Sequence, residues 1–182
     1  MAMKKFEEQT IQSEQIFKGR VISLQVDDVQ LPDGQRAKRE IVKHPGAVAV
    51  IAITDDQKIV LVEQYRKALE RSIIEIPAGK MEPNEEPIIT AQRELEEETG
   101  YGCQELVYIQ SFATSPGFAD EVIHLYAAQQ LFKIESPQAG DEDEFIELLH
   151  VTIEEAEALV AAGDIFDAKT AFAVLWAKMQ MK

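Results

Sequence analysis

GKMEPNEEPIITAQRELEEETGY, residues 79–101, is the stretch on which the reading of this chain turns. Helix signals run from Glu85 to Thr99 and stop at Gly100, the residue type that most easily takes the left-handed turn ending a helix. At helical periodicity Ile88, Ala91 and Leu95 share one face, which is expected to pack on a sheet. Glu94, Glu97 and Glu98 lie at i, i+3 and i+4 on the neighbouring face, and Glu96 points away from them as an ordinary surface residue. Three carboxylates within one turn repel each other. A hard divalent cation with oxygen ligands relieves that repulsion. Magnesium suits the role, because it keeps several waters while bridging a few carboxylates to phosphate oxygens. In a chain with 33 Asp and Glu, a run of acids alone usually marks a solvated helix face. The surrounding spacing is what argues for chemistry here.

Outward from this segment the chain alternates strands and helices. On its N-terminal side Ser72–Ile76 reads as a strand ending at Pro77-Ala78-Gly79, and Ile59–Val62 as a buried strand before it. Ala47–Ile53 is a continuous apolar run, expected for a strand covered on both faces. Before Pro45-Gly46, the segment from about Ile16 to Val42 reads as a β-hairpin turning at Leu31-Pro32-Asp33-Gly34. On the C-terminal side strands are expected near Leu106–Phe112, Val122–Ala127 and Phe145–Val151. Thr152-Ile-Glu-Glu155 is a capping box opening a helix that stops near Gly163. Asp167 is expected to cap a last helix with Ala171, Val174, Leu175 and Met179 as its apolar stripe.

The bulk numbers bound the function. The 182 residues, 46% of them hydrophobic, fit one domain with a small appendage, divided here at residues 1–45 and 46–182. A net charge of −15 argues against nucleic acid or an anionic membrane as partner, because the summed field repels polyanions. A phosphate-ester substrate would need cations to reverse that field locally. Cys103 is the single cysteine, which fits a reducing compartment. The start lacks an apolar stretch behind its lysines and no run reaches 18 apolar residues, so the expectation is a cytoplasmic protein.

The spacing of residues 79–101 resembles the Nudix box: Gly, five residues, Glu, seven residues, then Arg-Glu-aliphatic-any-Glu-Glu-any-Gly-aliphatic. Gly79, Glu85, Arg93, Glu94, Leu95, Glu97, Glu98 and Gly100 fill those places, and Tyr101 stands where an aliphatic residue is usual. A chance match is on the order of one in a million. The resemblance implies an α+β fold: a Nudix α/β/α sandwich with a mixed sheet, preceded by a small N-terminal antiparallel β layer. It implies that Glu94, Glu97 and Glu98, with the backbone carbonyl of Ala78, hold magnesium or manganese. Arg93 and Glu85 are then a structural ion pair between loop and helix. The implied reaction is in-line attack of water on a diphosphate.

Further segments are similar to the bacterial ADP-ribose pyrophosphatases of that superfamily, and the likeness spans nearly the whole chain. Ser115-Pro116-Gly117 places a proline 15 residues after Tyr101, as that group does. Gly19-Arg20-Val21 and Arg39-Glu40-Ile41 match the segments that grip adenine, so Arg20, Val21, Arg39 and Glu40 are implied substrate contacts, with Phe17 a spare stacking partner. Arg66, Lys80 and Ser115 match further substrate-binding positions. In the acidic loop Ala139–Phe145, Glu142 matches the general base and Glu144 a metal ligand, with the two roles exchanged in some relatives. The resemblance also implies a homodimer built through the N-terminal layer, acting on a small nucleotide. His44, His124 and His150 fit no motif and read as structural. The alternatives are a hydrolase preferring another nucleoside diphosphate sugar, a Nudix-fold regulator that binds without cleaving, and a plain acidic interaction module.

Overall fold

The computed structural model describes residues 5–138, 140 and 145–180. By contacts the chain divides into two compact units, Met1–Gly46 with Ala113–Val122, and Ala47–Phe112 with Ile123–Lys182.

In the first unit β1 (Gln9–Lys18), β2 (Ser23–Gln30) and β3 (Arg36–Lys43) form an antiparallel sheet in sequence order. It is thus three strands, not the hairpin expected from Ile16, and β1 begins at Gln9. Polar residues fill β1 and hide the alternation that marks a strand; two register shifts against β2, between Thr10/Gln12 and Gln15/Phe17, blur it further. The β2–β3 turn falls at Leu31–Gln35. Asp33 accepts a hydrogen bond from the Gln35 N–H at 2.9 Å, and Gly34 takes φ +86°. Ala113–Val122 adds a turn in which the Phe118 and Ala119 N–H groups donate to the Ser115 carbonyl at 3.1 and 2.9 Å.

The second unit is built on β4 (Ala47–Ile53), buried at every residue. It runs parallel to β9 (Val122–Lys133) and antiparallel to β5 (Ile59–Arg66) and β7 (Ala78–Lys80). The path of the mixed sheet is β10 (Ile146–Val151), β5, β4, β9, β8 (Tyr101–Ala113), with β6 (Arg71–Glu75) on β5 and β7 on β4. Strand periodicity explains why β4 is apolar throughout. Ala47, Ala49, Ile51 and Ile53 face a core with α2 (Ile153–Ala162) and α3 (Ala168–Gln180), whereas Val48, Val50 and Ala52 face α1 (Pro87–Thr99). Each face of β4 therefore serves its own core, and the sheet is covered on both sides by helices.

β4 and β5 stay paired only at Ala52–Val60 and Ile53–Ile59. Beyond that the sheet forks, with β4 taking β7 and β5 taking β6 as partner. The Val50 N–H donates to the Pro77 carbonyl at 2.8 Å, tying the crossing between the prongs to β4. The short β7 was not foreseen, since three residues carry no periodic signal.

Helix ends follow their side-chain chemistry. Thr152 and Glu155 form the reciprocal capping box, at 3.2 and 2.8 Å, and Gly163 and Gly100 end α2 and α1 at φ 80° and 69°. Asp167 accepts from the Thr170 N–H at 3.1 Å at the start of α3. Two expected faces need correction. In α3 the buried residues are Lys169, Thr170, Ala173, Val174 and Ala177, while Leu175 and Met179 are over 60% exposed. Ala and Thr let that face lie close, with Phe172 and Trp176 packed at its margins, so Leu175 and Met179 turn outward. In α1 Ile88 is 41% exposed and Thr90 is buried instead, its hydroxyl donating to Glu85 at 2.8 Å.

Candidate active site

The site is assembled where β7 meets α1. Gly79 pairs with Val48, and a Cβ added at Gly79 would stand 1.9–2.2 Å from the carboxylate atoms of Glu94. Only glycine admits that approach, so the Glu94 carboxylate occupies the space of the missing side chain. Glu94 is buried, and its neighbour Glu98 accepts a hydrogen bond from the Ala78 N–H at 2.9 Å. The helix presents Glu94, Glu97 and Glu98 along one edge, as the i, i+3, i+4 spacing requires.

Arg93 organises these acids. Its guanidinium binds Glu85 through two nitrogens, at 3.0 and 3.2 Å. Its Nη1 reaches Glu94 at 2.8 Å and Glu97 at 2.9 Å, and Nη2 donates to the Lys80 carbonyl at 3.3 Å. The hydrogen bonds from Arg93, with those from Thr90 and the Glu82 backbone, hold the Glu85 carboxyl at about 2, below its usual 4.5. The same contacts push the Arg93 guanidinium further up, Glu85 contributing most. One guanidinium thus serves the three carboxylates of Glu85, Glu94 and Glu97, with Glu98 on the Ala78 N–H beside them.

A carboxylate-rich, all-oxygen donor set fits a hard divalent cation. The residues that could hold one are Glu94, Glu97 and Glu98 with the Ala78 carbonyl. Their carboxylates here are turned onto Arg93 and the Ala78 N–H, and no three His, Cys, Asp or Glu side chains among the described residues converge in metal-binding geometry.

The other expected residues fall in several places. Arg66 ends β5 and its Nε donates to Glu75 at 2.5 Å. Glu75, 3% exposed, also receives Lys169, which in turn binds Asp167 at 2.9 Å. Lys80 is exposed on β7. In the N-terminal unit Arg20 and Val21 line a cavity of about 280 Å³ together with Lys18, Lys43 and His44. Arg39 is bound by Glu8 at 2.6 and 2.8 Å, and Glu40 is exposed on β3 opposite Val26. Ser115 accepts the two turn hydrogen bonds through its backbone. Glu142 and Glu144 lie outside the described residues.

Three features were missed. Glu75 and Lys169 form a buried pair that a charge inside Ile-Ile-Glu-Ile76 could have flagged. Glu96 is not an ordinary surface residue: it is partly buried and accepts the Gln138 N–H at 2.9 Å, a tertiary contact that helical phase cannot foresee. His124 shares a hydrogen-bond chain with Ser111 and Tyr108, for which its place in the apolar strand Val-Ile-His-Leu-Tyr was the signal.

Comparison with known proteins gives the family and the fold. Residues 43–172 match the NUDIX domain, and residues 8–42 match the nucleoside diphosphate sugar hydrolase N-terminal domain. The chain is 61% identical to a methanol dehydrogenase activator of Bacillus methanolicus, over 97% of this chain and 96% of that one. It is 56% identical to an ADP-ribose pyrophosphatase of Bacillus subtilis, over 98% and 96%. An ADP-ribose pyrophosphatase of Mycobacterium tuberculosis is 37% identical over 91% of this chain and 79% of its own. A crystal structure of an ADP compounds hydrolase superposes with a TM-score of 0.84 at 22% identity, covering 99% of both chains, which shows a shared fold.

Proposed function

This chain belongs to the Nudix family of pyrophosphohydrolases, and from that premise we propose that it hydrolyses ADP-ribose to AMP and ribose 5-phosphate with magnesium. The observation that carries the chemistry is the acid cluster of α1 with Glu94 seated on Gly79. The substrate choice is supported by two relatives named ADP-ribose pyrophosphatase that align with nearly all of this chain or most of it.

A divalent ion bound by Glu94, Glu97, Glu98 and the Ala78 carbonyl would supply charge neutralisation at the diphosphate and acidity to the attacking water. The rest is done by the chain. Arg93, anchored on Glu85, fixes the rotamers of Glu94 and Glu97 at distances under 3 Å. Arg66 offers a guanidinium to a substrate phosphate, steadied by Glu75. Arg20, Val21, Arg39 and Glu40 hold the adenosine end, Lys80 and Ser115 complete the substrate contacts, and Glu142 takes the proton from water. Arg39 must then exchange Glu8 for the base. A cytoplasmic homodimer formed through the N-terminal sheet belongs to the same reading. Its support is the exposure of Ile11, Ile16 and Phe17 on β1 and of Val21 and Ile22 in the turn to β2, each at least 39% accessible on a layer too small to bury them itself.

Incubating the protein with ADP-ribose and magnesium, then identifying the products, tests the reaction. GDP-mannose, cleaved by name in a relative 34% identical, and deoxynucleoside triphosphates serve as competitors. Higher kcat/KM for either competitor overturns the substrate assignment. A second reading, an activator of a dehydrogenase, is favoured by the name of the relative at 61% identity. Adding the protein to a methanol dehydrogenase assay decides it.

A further inference from the structure

We propose that His124 is a substrate-contact residue whose Nε2–H donates to a phosphate oxygen of the bound diphosphate, an inference that rests on the hydrolytic reading above. Val48 on β4 pairs with Gly79 on one side and with His124 on the other. Residues paired directly across strands project to the same face of a sheet. Val48 belongs to the core under α1, and the Glu94 carboxylate fills the place of a side chain at Gly79. Gly79, Val48 and His124 therefore form a row on the α1 face. Two strand spacings put its ends roughly 10 Å apart.

A relay on β8 fixes the imidazole. Ile109 and Phe112 both pack against the opposite core, so the alternation of β8 slips by one between them, and Ser111 joins Tyr108 on the α1 face. The Tyr108 hydroxyl lies 2.9 Å from Ser111 Oγ, which lies 2.7 Å from His124 Nδ1. The Tyr108 ring is braced edge-to-face on Tyr126 at 5.7 Å. With the phenol, the more acidic hydroxyl, as donor to Ser111, the seryl hydrogen points at Nδ1 and the imidazole proton sits on Nε2. Among the described residues Nε2 has no hydrogen-bond partner. A tautomer held by two hydroxyls thus offers a donor on the sheet face that carries the acid cluster. An anionic ligand in a chain of net charge −15 needs such donors. A protonated Nε2 cannot ligate a metal, so the ligand it fits is the phosphate itself.

The test compares H124A, H124Q and S111A with the wild type in ADP-ribose kinetics, alongside thermal unfolding and inhibition by AMP and by ribose 5-phosphate. H124A should lower kcat/KM by about 10- to 100-fold, the scale of one hydrogen bond to a charged group. It should weaken inhibition by at least one of the two products by a similar factor. H124Q places an amide N–H near the lost Nε2–H and should recover most of the activity. S111A releases the tautomer and should fall about 3- to 10-fold, within the range of a neutral hydrogen bond. Wild-type kcat/KM in H124A, or equal losses in H124A and H124Q, overturns the proposal. Should H124A fail to fold, unchanged activity in S111A overturns it. If the wild type does not cleave ADP-ribose, the substrate reading has failed instead, and the same comparison is made on the nucleoside diphosphate sugar it does cleave.

Discussion

Replacing Gly79 by alanine separates the cost of the site from the cost of the fold. The new Cβ would lie 1.9–2.2 Å from the Glu94 carboxylate. Regaining an ordinary contact of about 3.5 Å forces that carboxylate back by roughly 1.5 Å. The atoms that must move are the far end of a flexible side chain, so the backbone pairing of Gly79 with Val48 can survive. Overpacking of this kind costs about 1–3 kcal/mol, and the lower end applies where a side chain can yield. The functional cost is larger. The Glu94–Arg93 contact of 2.8 Å is lost, and the proposed metal ligand is misplaced by more than an ångström. A displacement of 1 Å is enough to cost about 10²-fold in rate. We therefore expect G79A to remain folded, with kcat/KM for ADP-ribose down at least about 10²-fold. The assay is steady-state kinetics at saturating magnesium beside urea denaturation of the same preparation. Activity within three-fold of wild type (a loss of under about 0.7 kcal/mol) would refute the close approach as a working part of the site. So would a stability loss large enough to account for the missing activity.

Other perturbations probe the neighbouring contacts. E98Q should lower kcat on the order of 10³-fold, as removal of a charged group from a catalytic centre does, while leaving stability unchanged because the amide oxygen can still accept the Ala78 N–H; kinetics and denaturation read the two separately. K169M strips the buried Glu75 of its Lys169 partner and should cost about 3 kcal/mol, the low end for a broken buried pair because Arg66 stays in place; the urea midpoint reports it. Glu85 is held at about 2 when folded against an ordinary 4.5, so its contribution is fully present above pH 4.5 and is lost as pH falls towards 2. The stability gap between wild type and E85Q should therefore be constant near neutrality and close across that window in a pH series of denaturation midpoints. E142Q should lower kcat by about 10²- to 10⁴-fold with KM within a few-fold, and E144Q should raise the magnesium requirement; an unchanged kcat in E142Q with the loss in E144Q would reverse those roles.

What could be read from the sequence was whatever local chemistry decides. The apolar run of β4, the capping box at Thr152 and the glycine stops at 100 and 163 are one-dimensional signals, and each appears where its residues put it. The phase of Glu94, Glu97 and Glu98 on α1 is fixed by helical geometry in the same way. The partners of these groups were less legible. Glu96 meets Gln138, and Glu75 meets Lys169, across 42 and 94 residues, separations that no periodicity encodes. The buried face of α3 was misjudged because its small residues pack close, so that size misled where proximity decided. The strand β1 was not legible because its exposed side chains are mostly polar, and only pairing with β2 makes it a strand.

The fork in the sheet gives the two prongs separate custodians. The β7 prong is kept by α1, through Ala78 on Glu98 and the Lys80 carbonyl on Arg93. The β6 prong is kept by α3, where the Thr170 hydroxyl accepts the Ile76 N–H at 3.0 Å and Lys169 holds Glu75. One prong is thus tethered to a helix encoded some 90 residues downstream, so the spacing of the prongs depends on that helix as well as on the motif. Changes at Asp167, Lys169 or Thr170 would surface as altered turnover with every motif residue intact. Random mutagenesis scored on activity should accordingly return a cluster of hits at the start of α3, far along the chain from the segment that names the family.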